Sequence, residues 1–148
     1  MLKLKSNQGF TLIELLIVVV ILGIITAIAV NSYSENVRRS RRVAARDVLL
    51  QNANFLQRSM TVNNSYQTDT AGAAIVLPFL TSPMASSGTN VDYDITFVPT
   101  ATTYTLRAVP KVGGRMATDA CGTYIVDELG RRTLGSDATL TINDCWTK

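Results

Sequence analysis

From Phe10 to Ser34 the chain is apolar almost without relief, and from Val37 onward apolar positions recur with a helical period. Leu15 to Ser34 carries no charge; at about 1.5 Å per residue a helix of that length spans roughly 30 Å, the thickness of a hydrocarbon core. Beyond it Ala45, Leu49, Leu56 and Met60 fall on one line, with Val37, Ala44, Val48 and Phe55 on a neighbouring one. The polarity of Arg38, Arg42, Arg46 and Arg58 assigns them to the opposite, solvated face. Residues 10 to about 60 are therefore predicted as one long helix, hydrophobic and membrane-spanning over 10–36 and amphipathic over 37–60.

The pattern then changes. Thr61 to Asn90 is rich in Thr, Ser, Asn, Gly and Pro and reads as a long connection, with a brief helix or strand in the apolar patch Ala73 to Leu80. Val91, Tyr93, Ile95 and Phe97 alternate with Asp92, Asp94 and Thr96; a turn over Pro99 to Thr103 follows, and Tyr104, Leu106 and Ala108 resume the alternation. A second hairpin is predicted from Thr123 to Val126, a turn at Asp127-Glu128-Leu129-Gly130, and Arg131 to Leu134. A last apolar run, Leu140 to Ile142, leads to Cys145-Trp146. The fold class is α+β: a long amino-terminal helix packed on an antiparallel sheet of about four strands, with residues 61–148 forming a globular head.

Charge changes the picture in one respect. The positive charge behind the formal net +3 lies in residues 1–58, because from residue 61 onward six basic residues face eight acidic ones. That argues against a uniformly basic nucleic-acid-binding head. Cys121 and Cys145 are the only cysteines, and with no His in the chain to complete a zinc site they read as one disulfide. Such a bond would close a loop worth roughly 3 to 4 kcal/mol and would need an oxidising compartment, whereas two reduced buried cysteines would suit the cytosol. The charges leave orientation open, since Lys3 and Lys5 stand before the apolar run and Arg38, Arg39, Arg41, Arg42 and Arg46 after it. A secretory signal peptide is the rival reading of the amino terminus, though the run is long for one. Gly23 suits either close helix packing or a local loosening, and a merely tolerated small residue reads equally well.

Candidate chemistry is sparse. Without His, and with Ser residues confined to loops that offer no base, no catalytic constellation is readable and no enzyme is expected. Asp92 and Asp94 share one outward strand face, which reads as solvent exposure, and two carboxylates are too few for calcium. No metal or cofactor is expected. One residue stands out: Glu14 is the only charge between Lys5 and Glu35, inside the apolar run.

GFTLIELLIVVVILGIITAIA at residues 9 to 29 resembles the amino terminus of the type IV pilin family, pseudopilins included. The resemblance implies a type IVa-like prepilin: a leader, residues 1–9, removed by a prepilin peptidase after Gly9, and N-methylation of the new amino group on Phe10. It further implies a single pass through the bacterial inner membrane with the head in the periplasm, then extrusion by an inner-membrane assembly platform into an extracellular pilus of other pilin subunits. Glu14 would draw an incoming subunit into register by pairing with the Phe10 amino terminus of its neighbour. Many members carry Pro where this chain has Asn31, and Asn can still donate to the helix ladder, so any kink or melting between Gly23 and Asn31 should be milder. The stretch CGTYIVDELGRRTLG...NDCW resembles minor pilins of the PilE and ComP kind. A minor pilin in pilus assembly, motility or adhesion is the implied role. The alternatives are a DNA-binding competence pilin using Lys111, Arg115, Arg131, Arg132 and Lys148, and a type II secretion pseudopilin. Arginines 38 to 46 are expected on a solvated helix face or at lipid headgroups.

Overall fold

The computed structural model describes residues 10–147, the side chains of Ile28, Ala29, Asn31 and Ser32 excepted. The leader 1–9, with Gly9, and the terminal Lys148 lie outside the described residues. Helix α1 runs from Leu12 to Asn63, continuous in its backbone through Gly23 and Asn31, the region where local melting was considered. By its internal contacts the chain divides into Met1–Val37 and Arg38–Lys148.

In the first unit every described apolar side chain from Phe10 to Ile25 is exposed, because a lone helix with apolar residues all round can bury none of them. Among the described residues no helix is long and apolar enough to cross a membrane. The continuously described run ends at Ala27, short of the full charge-free stretch on which the membrane expectation rests.

The second unit holds the core. Five antiparallel strands lie side by side in sequence order: β1 (Thr81–Ser82), β2 (Tyr93–Pro99), β3 (Tyr104–Pro110), β4 (Tyr124–Asp127) and β5 (Arg132–Leu134). Both expected hairpins are present, and the sheet gains a fifth strand of two residues, β1, at its edge. The register aligns Ile95, Ala108, Tyr124 and Leu134 in one row and Phe97, Leu106, Val126 and Arg132 in the next. Ala45, Val48, Leu49 and Leu56 of α1 join Tyr93, Ile95, Tyr104, Leu106, Ala108, Tyr124 and Val126 of the sheet in one cluster. Its aromatic rings meet edge to face, Tyr124 with Trp146 at 5.2 Å and Tyr66 with Tyr104 at 4.9 Å between centroids. The long connection is pinned to α1 by the fully buried Asn52, whose Nδ2 donates to the Phe79 carbonyl at 2.8 Å while Oδ1 accepts from the Phe79 amide at 3.3 Å.

Two expectations are corrected here. Arg42 does not face solvent; it is 8% exposed, and Arg46 is half-buried. Polarity alone is a poor guide to the helix face here: Arg42 lies seven residues before the buried Leu49, which puts them about 20° apart around the helix. Asp92 is likewise buried, at 1%, because two guanidinium groups are brought to it. A final short helix, α2 (Ile142–Trp146), is capped by Thr141, whose hydroxyl accepts from the Asp144 amide at 3.3 Å and donates to its carboxylate at 2.7 Å.

Candidate functional site

At the amino terminus Phe10 is 83% exposed and precedes the first turn of α1. Thr11 and Glu14 form a reciprocal cap: the Thr11 hydroxyl accepts from the Glu14 amide at 3.3 Å, and Glu14 Oε2 accepts from the Thr11 amide at 3.2 Å and its hydroxyl at 3.1 Å. Within the single chain the Glu14 carboxylate thus accepts from the Thr11 amide and hydroxyl and sits at the positive end of the helix dipole. The Thr-x-x-Glu spacing is the sequence signal for this cap.

Three of the basic residues considered for DNA, Lys111, Arg115 and Arg131, are paired with acids. Lys111 Nζ lies 3.0 Å from Asp94, Arg115 Nε 3.0 Å from Asp92, and Arg131 Nε 2.5 Å from Asp127. The Arg132 guanidinium stands 5.5 Å over the Trp146 ring. In strand register Lys111 follows the Tyr93–Pro110 row, whereas Arg132 belongs to the Phe97–Leu106–Val126 row. That separates them by about 17 Å along the strands and about 10 Å across them. They form two small groups and not one stripe. Arg107, which sequence reasoning passed over, is exposed on the outer face of β3, where the alternation that buries Leu106 and Ala108 points it to solvent.

Burial raises the Asp127 carboxyl, but the Arg131 side-chain and backbone hydrogen bonds, the Arg131 charge and the Leu129 amide outweigh it and hold the group below its ordinary value. Asp127 Oδ1 accepts from the amides of Leu129 at 3.1 Å and Arg131 at 2.9 Å, so this carboxylate builds the β4–β5 turn as well as holding Arg131.

The second cluster joins α1 to the head. Arg42 donates through Nε to both oxygens of Asp119, at 3.0 and 3.1 Å, and through Nη2 at 2.5 Å, and the Tyr93 hydroxyl donates to the same carboxylate at 3.3 Å. One turn on, Arg46 Nη1 donates to the carbonyls of Cys145 at 3.1 Å and Trp146 at 2.6 Å. Arg41 Nε stands 3.6 Å from Asp92. Cys121 and Cys145 are joined in a buried disulfide with a Cα–Cα distance of 5.7 Å. Burial pushes the Tyr124 hydroxyl up to about 12, with the Asp119 charge adding to it, and burial followed by Asp119 raises Tyr93 as well.

Beside these sites, α1 and the long connection frame an open cleft of about 720 Å³ lined by Asn54, Phe55, Arg58 and Phe79. Among the described residues no cluster of three or more Cys, Asp or Glu could hold a metal ion.

Comparison with known proteins adds the following. Residues 31–125 match the family model described as type IV minor pilin ComP, DNA uptake sequence receptor. Residues 4–30 match the prokaryotic N-terminal methylation motif. The chain is also similar to the structure of a type IV pilin from Shewanella oneidensis, with 24% identity over 73% of this chain and 96% of that one and a TM-score of 0.47.

Proposed function

The chain belongs to the type IV minor pilins of the ComP family and is a pilus subunit, and from that premise we propose how it is processed and assembled. A prepilin peptidase cuts after Gly9, and the new amino group on Phe10 is methylated. Before assembly the apolar segment 10–36 holds the subunit in the inner membrane with its head in the periplasm; an assembly platform then moves it into the extracellular filament. The methylation-motif match over residues 4–30 supports the processing step, and the disulfide supports the oxidising compartment.

The arrangement of Phe10, Thr11 and Glu14 carries the reading. Phe10, exposed and made amino-terminal by the proposed cut, directly precedes Thr11, to which the Glu14 carboxylate is hydrogen-bonded on the first turn of a helix whose described apolar side chains up to Ile25 are uncovered. In the filament core the Glu14 carboxylate leaves its cap for the Phe10 amino group of a neighbouring subunit. Breaking such a buried pair typically costs about 3 to 5 kcal/mol, enough to set register. Glu14→Val is expected to leave the subunit stable in the membrane and cut its incorporation into sheared pili at least about tenfold, since 1.4 kcal/mol is already a factor of ten. Incorporation at the wild-type level would sink the proposal.

A second reading, DNA reception, is favoured by the family model's description. Binding would recruit Lys111, Arg115, Arg131, Arg132 and Lys148, and Arg107 on the outer face of the sheet. Engaging the first three means competing with Asp94, Asp92 and Asp127. Six phosphate contacts would give a slope of log affinity against log salt of about −5.4. A gel shift with the purified chain in detergent checks this, and no shift at low salt removes the reading.

A further inference from the structure

We propose that the Cys121–Cys145 disulfide closes a seat for α1, so that the thiol–disulfide state of the head sets how firmly the helix turn carrying Arg42 and Arg46 is held. The two arginines are four residues apart on adjacent positions of one helix face, so they present their guanidinium groups together. Their acceptors come from distant parts of the chain. Arg42 reads Asp119, two residues before Cys121, and Arg46 reads the carbonyls of Cys145 and Trp146. The disulfide is the covalent link between those two acceptor groups.

Each half of the seat has hydrogen bonds of its own, and the Ala120 carbonyl joins the halves by accepting from the Thr139 and Leu140 amides at 2.9 and 3.1 Å. Asp119 belongs to a turn in which its amide donates to the Met116 carbonyl and its carbonyl accepts from the Gly122 amide, both at 3.0 Å. Helix α2 has five residues, tied to the sheet by Trp146 Nε1 donating to the Thr133 carbonyl at 3.1 Å and by the Tyr124 hydroxyl donating to the Cys145 carbonyl at 3.4 Å. With the bond in place, the Arg46 acceptors keep their spacing from Asp119. Without it, only the non-covalent contacts, chief among them the hydrogen bonds of Thr139 and Leu140 to the Ala120 carbonyl, hold α2 against the turn; α2 then shifts more freely, and α1 satisfies both arginines at once less often. Arg41 provides an internal contrast, because its partner Asp92 is not next to either cysteine in the chain, whereas Asp119 and Trp146 are.

Closure joins the Sγ atoms of Cys121 and Cys145 with loss of a pair of protons and a pair of electrons to a disulfide-bearing oxidant, which becomes a dithiol. An added dithiol runs the exchange in reverse, returning both cysteines to thiols and becoming oxidised itself. The test is amide hydrogen exchange on the full-length chain in detergent, oxidised and dithiol-treated. Exchange over residues 44–50 should rise at least about tenfold on reduction while β2 and β3 stay within about twofold. Because both cysteines are fully buried, a Cys121→Ala/Cys145→Ala variant gives the same comparison where the reagent cannot reach them.

Arg46→Met separates a seat from a general staple. It should accelerate exchange over 44–50 in the oxidised chain and add less than about twofold in the reduced one. Equal acceleration by Arg46→Met in both states would overturn the proposal. So would loss of protection in β2 and β3 as large as that in α1, or unchanged exchange at 44–50 in the double variant.

Discussion

Asp119 serves several donors at once, the Nε and Nη2 of Arg42 and the hydroxyl of Tyr93, in a site 7% exposed. Asp119→Ala removes the carboxylate these groups share and is expected to cost about 3 to 5 kcal/mol, read as a lower urea midpoint. Replacing both partners, Arg42→Met with Asp119→Leu, should cost less than Asp119→Ala alone, since an apolar pair of similar volume leaves no buried charge behind. A double variant no more stable than the single one would contradict this account. Half of the network was readable beforehand: the heptad spacing of Arg42 and Leu49 shows that Arg42 lies on the buried stripe. Its partner was not readable, because nothing local joins position 42 to position 119. The Glu14 cap is a different case, since Thr11 and Glu14 show the capping-box spacing openly and only the conspicuous charge drew attention from it.

Among the connecting elements, the turn that leads from Cys121 into β4 has the least latitude. Gly122 has φ +55°, and a Cβ there would lie 2.9 Å from the Ala138 backbone nitrogen and 2.8 Å from the Asp137 carboxyl. The strain is thus conformational and steric together. Gly130, in the β4–β5 turn, has φ +71° with open space around it, so only the conformational part applies. Gly130→Ala is expected to cost about 1 to 2 kcal/mol and Gly122→Ala clearly more, a difference that urea unfolding of the two variants would show. Equal costs would mean that the Asp137–Ala138 segment yields freely. The hairpins themselves were legible because Tyr93, Ile95, Tyr104 and Leu106 alternate cleanly with polar residues. The strand at Thr81–Ser82 was not, because two residues cannot show a period and their place depends on β2 already being formed. The hold of Asn52 on Phe79 was hidden for the same reason, since a polar residue on a helix does not disclose which loop it will receive.

At the scale of the whole molecule, the head is organised around tyrosines that are kept neutral. Burial raises Tyr93, Tyr104 and Tyr124 above the ordinary value of 10.0, and Tyr124 is pushed up to about 12. Each hydroxyl therefore binds its proton more tightly in the folded head than in the unfolded chain. The stability this represents is complete below pH 10 and is lost as the pH rises toward the folded values, because the unfolded chain ionises first. The head should accordingly resist moderate alkali and then unfold cooperatively above about pH 10, with tyrosinate absorbance at these three residues appearing together with the loss of near-ultraviolet circular dichroism. Ionisation of the three well before the circular dichroism changes would show that their environment tolerates charge, against the burial of Tyr93 and Tyr124 at 0% exposure. Tyr124→Phe sharpens the comparison: it removes one of these ionising groups and also the hydroxyl that donates to the Cys145 carbonyl at 3.4 Å. The variant should lose some stability at neutral pH yet show a shallower decline between pH 10 and 12, so the two stability curves converge as the pH rises. Parallel curves would place the alkaline transition elsewhere than in this tyrosine cluster.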